Sequence, residues 1–206
     1  MRKTLLLTVA MLVAVVTTSN AQVLKLGIMG GANRHTLEFN SVSFGSTTIS
    51  EHPADQYGYQ LGAVLRISLP DFIQIQTELI YQETSSRLYV NNGKYTTNTS
   101  MSMNSFEVPI MIGFNIKAFR VFAGPVFRLS SSMDFSQKYN SISASVDDDN
   151  IGLQGGFGFD IGKFFIDARY SSYSEATKID FNVNGDKGTV KSTKDGSWQL
   201  NLGLFF

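Results

Sequence analysis

Period-two alternation of apolar and polar residues dominates the chain after residue 21, and no stretch there sustains a 3.6-residue repeat. The last segment shows it plainly: Trp198, Leu200, Leu202, Leu204 and Phe206 alternate with Gln199, Asn201, Gly203 and Phe205. The pattern predicts eight strands, at 23–34, 56–68, 73–89, 101–116, 120–132, 151–161, 164–178 and 197–206. The faces separate in each. Leu24, Leu26 and Ile28 oppose Lys25, Gly27 and Met29. Tyr57, Tyr59, Leu61 and Leu65 oppose Gly58, Gln60, Gly62 and Arg66. Phe106, Val108, Ile110, Ile112 and Phe114 oppose Glu107, Pro109, Met111 and Gly113. Phe157 and Phe159 oppose Gly156, Gly158 and Asp160, and Phe164, Ile166 and Ala168 oppose Phe165, Asp167 and Arg169. No other element is left to cover the apolar faces, which points to lipid. About 9–11 alternating residues suffice to cross a bilayer as a strand.

The connections alternate too. Those around Leu69-Pro70-Asp71, Lys117-Ala118 and Gly162-Lys163 are tight turns. Residues 35–55, 90–100, 133–150 and 179–196 form longer loops rich in Ser, Thr, Asn, Asp and Gly. Short turns at one end and long loops at the other match an eight-stranded antiparallel up-and-down transmembrane barrel. An even strand number puts both termini on the short-turn side, read as periplasmic. Apolar-face aromatics fall in two rings. Tyr57, Tyr59, Tyr81, Phe106, Tyr170 and Trp198 lie toward the loops, and Phe72, Phe114, Phe164 and Phe206 toward the turns. A soluble sandwich or lipocalin-like barrel would turn its polar face to water. This polar face is rich in Gly and Gln and poor in Lys and Glu, as a crowded lumen would be.

The N-terminus changes the picture before the barrel begins. Arg2 and Lys3 precede the apolar run Leu5–Val16, and Ser19-Asn20-Ala21 supplies small residues for cleavage. Residues 1–21 therefore read as a secretory signal peptide, and 22–206 as the barrel domain. The run is too short for a spanning helix. Without Arg2 and Lys3, the basic residues fall two short of the 17 acidic ones, so nothing favours nucleic acid. The chain has no Cys, which removes disulfides, thiol chemistry and thiolate metal sites.

Candidate chemistry is sparse. The inward face carries Lys25, Arg66, Arg128 and Arg169 with Glu78, Glu107, Asp160 and Asp167, four of each sign. Eight strands enclose a space that side chains can fill, so these charges are expected to pair as a structural network. Counting back from Lys117-Ala118 sets Glu107 almost opposite Arg128 and predicts that they pair. A charge-filled lumen argues against a wide pore. The histidines, His35 and His52, lie in or beside the first long loop, and no positioned Ser/His/acid constellation is visible, so no catalytic residues are assigned. The run Asp147-Asp148-Asp149-Asn150 could offer oxygens to Ca²⁺ but lacks EF-hand spacing and reads as a solvated loop end. No cofactor or metal is expected. Asn98-Thr99-Ser100 is a coincidental sequon, and Asn91-Asn92-Gly93 is turn chemistry.

Several segments resemble a known family. Leu26-Gly27-Ile28-Met29-Gly30-Gly31-Ala32-Asn33 is similar to the opening strand of Bacteroidetes outer-membrane β-barrel proteins. So are Glu107-Val108-Pro109-Ile110-Met111-Ile112-Gly113, Phe122-Ala123-Gly124-Pro125, Gly155-Gly156-Phe157-Gly158 and the Phe-terminated last strand. That family includes PorT-like and porin-like chains. The resemblance implies the barrel fold and, through Phe206, recognition by barrel-assembly machinery. It implies little about activity, because function on a shared fold lives in sites. The expectation is a non-enzymatic outer-membrane protein, structural, adhesive or ligand-contacting in the manner of OmpX-like and OmpA-like barrels. Its partners would be outer-membrane lipid and an extracellular ligand or envelope proteins met through the loops. A PorT-like part in protein secretion and a narrow porin-like channel are the alternatives.

Overall fold

In the computed structural model, the described residues are 24–39, 42–44, 47–51, 56–69, 72–91, 96–135, 142–146, 150–173, 178–183 and 186–206. They form twelve strands: β1 (Leu24–Phe39), β2 (Val42–Phe44), β3 (Thr47–Glu51), β4 (Gln56–Ser68), β5 (Ile73–Asn91), β6 (Thr96–Ile116), β7 (Phe119–Phe135), β8 (Ile142–Val146), β9 (Asn150–Ile161), β10 (Phe164–Tyr173), β11 (Lys178–Val183) and β12 (Asp186–Phe205). Eight of them, in the order β1-β4-β5-β6-β7-β9-β10-β12, pair antiparallel with their neighbours, and β12 pairs back with β1. The sheet is a closed eight-stranded barrel, so it has no free edge in the spanning region.

Outside and inside follow the alternation. Leu26, Leu61, Ile112, Leu153 and Leu202 are among the outward residues, each more than half exposed, while the residues between them are buried. Both aromatic rings face outward. Tyr81 packs on Phe106 (centroids 5.2 Å apart) and Tyr170 on Trp198 (4.8 Å). Pro125 is outward and exposed. The β6–β7 pairing is interrupted beside it, between Pro109↔Val126 and Ile112↔Ala123, with the register unchanged on either side, as a missing ladder donor requires.

Several boundaries differ from the sequence expectation. The strands expected at 73–89, 101–116, 120–132 and 197–206 run on to 19, 21, 17 and 20 residues. β1 continues to Phe39 rather than stopping near 34, and β10 ends at Tyr173 rather than at 178. The long loops are not irregular throughout: they carry β2, β3, β8 and β11 and the outer parts of the long strands. Ser, Thr and Asn runs conceal these extensions, because both faces of a strand beyond the membrane are polar. The signal segment 1–21, His52, the Asp147–Asp149 run and Asn92-Gly93 lie outside the described residues.

The tight turns at Lys117-Ala118 and Gly162-Lys163 are at the expected places, and Pro70-Asp71 lies outside the described residues. Gly162 takes φ 63° at the first central position between β9 and β10, and Lys117 takes φ 59° in the equivalent place between β6 and β7. The β1–β12 seam closes the barrel in a single antiparallel register over its membrane half. Leu26 meets Phe206 through the Phe206 N–H (2.9 Å), Ile28 opposes Leu204, and Leu202 and Leu200 oppose Gly30 and Ala32. The apolar band is continuous across the seam, with Leu200 and Leu202 of β12 set against small residues of β1. The pairing also spirals. Followed around the barrel from Arg120 through Gly158, Asp167, Asn201, Gly31, Gln60, Gln82 and Ser105, it returns to β7 at Ser131. This stagger is the counterpart of strand tilt in a closed barrel.

Candidate functional site in the barrel lumen

Inward side chains fill the barrel in layers. At the short-turn end lie Phe165, Phe205, Met29 and Val64, with Phe122 alongside. Gly203 makes room for this layer, since a Cβ there would sit 2.1 Å from Cζ of Phe165. Three guanidiniums lie over the rings: Arg66 is 4.4 Å from the Phe205 centroid, Arg120 5.1 Å from Phe122 and Phe165, and Arg169 5.4 Å from Phe122.

These arginines are stitched to three carboxylates. Arg66 donates Nη1 to Asp160 (2.7 Å) and Nε to Gln76 (2.7 Å). Arg120 donates Nε to Asp160 and Nη2 to Asp167, both at 3.0 Å. Arg169 donates Nε to Asp167 (2.6 Å) and forks both Nη groups onto Glu78 (2.5 and 2.8 Å). Each arginine is about 1% exposed, and Asp167 and Glu78 are likewise buried. Planar forks suit such sites better than an ammonium, because they satisfy two acceptors in fixed geometry. The result is a neutral belt of three cations and three anions across the lumen.

A band of amides lies above the belt. Asn201 Nδ2 donates to Asp167 (3.0 Å), Gln60 Nε2 donates to Asn201 Oδ1, and Gln154 Nε2 donates to Ser171 (2.8 Å). A second ionic cluster sits toward the loops. Arg128 Nε meets Glu107 Oε1 at 3.3 Å, and its Nη1 meets Asp195 Oδ2 at 3.0 Å. His35 Nε2 lies 2.8 Å from Asp195 Oδ1. Tyr173 donates to Glu107 Oε1 (2.5 Å), and the Arg128 guanidinium stacks 3.8 Å from the Tyr173 ring centroid.

Seven of the eight residues expected in the network are thus in ion pairs. Arg66, Glu78, Asp160, Asp167 and Arg169 gather in the lower belt, and Glu107 and Arg128 face each other in the upper cluster. Lys25 does not join an ion pair among the described residues. It lies over the Phe205 ring, 5.8 Å from the centroid, at the short-turn mouth. Sequence reasoning missed Arg120, Tyr173, His35 and Asp195. Parity gave a signal for two of them: Arg120 shares the face of Phe122, and Tyr173 that of Asp167 and Arg169. Asp195 and His35 sit where the pattern ends in polar residues, so alternation gave no sign that the strands continue.

The described residues contain no group of three or more His, Cys, Asp or Glu arranged to hold a metal. Among the described residues no helix is long and apolar enough to cross a membrane, which bears only on helices. The four arginines and five carboxylates of the two clusters are paired with one another inside the lumen.

No curated protein matches the chain. Solved structures share its fold at low identity. The outer membrane protein OprG from Pseudomonas aeruginosa aligns with a TM-score of 0.58 and 14% identity, covering 88% of this chain and 95% of that one. The outer membrane protein AlkL gives 0.52 and 9%, covering 88% and 90%, and Neisserial surface protein A gives 0.50 and 12%, covering 88% and 97%. Residues 20–172 match the family model described as the outer membrane protein beta-barrel domain, and with that match, the closed barrel and the outward apolar band, the chain belongs to this family of outer-membrane β-barrels.

Proposed function

We propose that this outer-membrane barrel is a non-enzymatic surface protein, structural, adhesive or ligand-contacting, that works through its loop end. One observation carries the reading: the belt of Arg66, Arg120 and Arg169 with Glu78, Asp160 and Asp167 crosses the lumen and sets each charge in an ion pair. Wide diffusion pores take about 16–18 strands. Meanwhile β5, β6, β7 and β12 are far longer than the roughly 9–11 residues a spanning strand needs. The excess carries the polar loops well clear of the bilayer. On this reading both termini lie in the periplasm, Phe206 is the contact for barrel-assembly machinery, and lipid and an external ligand are the remaining partners.

Planar-bilayer recording tests the reading. The purified barrel is expected to give no discrete openings. Stepwise conductance would overturn it in favour of a narrow channel. The finer Bacteroidetes, PorT-like assignment is supported by the strand motifs around Gly27–Asn33 and Pro109. It predicts that other envelope components co-purify with the protein and that a cargo set leaves the secretome on gene deletion.

A further inference from the structure

Four buried oxygens beside the upper cluster have no hydrogen-bond partner: Gln60 Oε1, Gln82 Oε1, Ser105 Oγ and Glu107 Oε2. Their residues are at most 2% exposed. They belong to adjacent positions. Gln60 directly opposes Gln82 across β4–β5, and Gln82 opposes Ser105 across β5–β6. Glu107 follows two residues after Ser105 on the same face and accepts from Gln82 (2.9 Å).

The identity of the free atoms is dictated by chemistry. A carboxylate only accepts, so Gln82 must turn Nε2 to Glu107, which leaves its Oε1 free. Asn201 must turn Nδ2 to Asp167, so its Oδ1 faces Gln60, and Gln60 answers with Nε2. Its Oε1 is free in turn. Glu107 is lopsided as well. Gln82, Arg128 and Tyr173 all converge on Oε1, and both Nη groups of Arg128 are directed to Asp195. The four free oxygens therefore have one hydrogen among them, the Ser105 hydroxyl. Each buried acceptor left unmet costs about 1–3 kcal/mol, and one water donates only two hydrogens.

We propose that these oxygens bind an alkali-metal cation, sodium or potassium, with water completing its shell. Two carboxylates, Glu107 and Asp195, share the single guanidinium of Arg128, which suits one further positive charge beside three neutral oxygens. Divalent calcium sites in proteins draw on several carboxylates, whereas the neighbouring carboxylate, Asp195, is taken up by Arg128 and His35 and no thiolate is present. The cation would complete a lumen whose lower belt is already neutral. Its site is separate from the loop end that the proposed function uses.

The test is thermal unfolding of the folded barrel in detergent, in N-methylglucamine chloride, sodium chloride or potassium chloride at one ionic strength. The midpoint should rise by about 2–4 °C in sodium or potassium and saturate with concentration, as ligand binding to the native state requires. Glu107→Gln and Gln60→Leu should each lose that increment, and Gln60→Leu serves if Glu107→Gln fails to fold. Equal wild-type midpoints in the three salts would overturn the proposal. So would an increment that survives in the variants.

Discussion

Arg128 shows how much one inward side chain can hold. Its guanidinium joins Glu107 on β6 to Asp195 on β12 and covers the ring of Tyr173 on β10. Removing one partner of a buried pair strands the other charge, which typically costs about 3–5 kcal/mol. Arg128→Met should therefore lower the unfolding midpoint on heat-modifiability gels well beyond the effect of an outward substitution such as Leu202→Met. An unchanged midpoint would mean that the pair contributes nothing. The Glu107–Arg128 opposition could be counted from the sequence because the β6–β7 register runs unbroken from the turn to that pair. The bulge falls one step beyond it, between Glu107 and Phe106. Asp195 could not be found that way, because nothing in the polar stretch before Trp198 marks a strand.

Among the elements, turns and strand extensions behave differently. The short turns at Lys117-Ala118 and Gly162-Lys163 were legible from the sequence, but the strain at one of them was not. Lys117 holds φ 59°, a conformation that costs a non-glycine residue about 1–2 kcal/mol, whereas Gly162 takes the same place without that cost. Lys117→Gly should raise stability by up to about 1 kcal/mol, read as a higher urea midpoint with unchanged slope; part of the gain is offset by unfolded-chain entropy. The extensions were not legible, because alternation disappears where neither face meets lipid or core. The β5–β6 hairpin continues in register to Asn91↔Thr96. Ser85 directly opposes Ser102, so a two-residue Asn-Gly turn can replace residues 86–101 without disturbing the pairs below. That variant should keep the folded gel mobility of the parent. Loss of the folded band would show that the barrel depends on its outer half.

For the molecule as a whole, the fold was readable because the bilayer enforces alternation on every spanning strand. The lumen was half readable: parity says which charges face inward, but not which will meet, since partners such as Glu78 and Arg169 are 91 positions apart. Closure is the last requirement, and it depends on the two ends of the chain meeting along β1 and β12. Deleting Phe206 should reduce the amount of folded barrel reaching the outer membrane in cells while leaving refolding in detergent nearly unchanged. An equal loss in both settings would assign Phe206 to seam stability instead of recognition.

The Asp167–Asn201–Gln60 chain crosses that seam, linking β10, β12 and β4 around β1. Its consequence concerns error rather than strength. If β12 slid two residues along β1, leucines would still face lipid and the outer surface would hardly distinguish the two alignments. Inside, the slip would move Asn201 away from both partners and leave Asp167 and Gln60 searching for others. The polar interior thus acts as the proofreader of an exterior that cannot count.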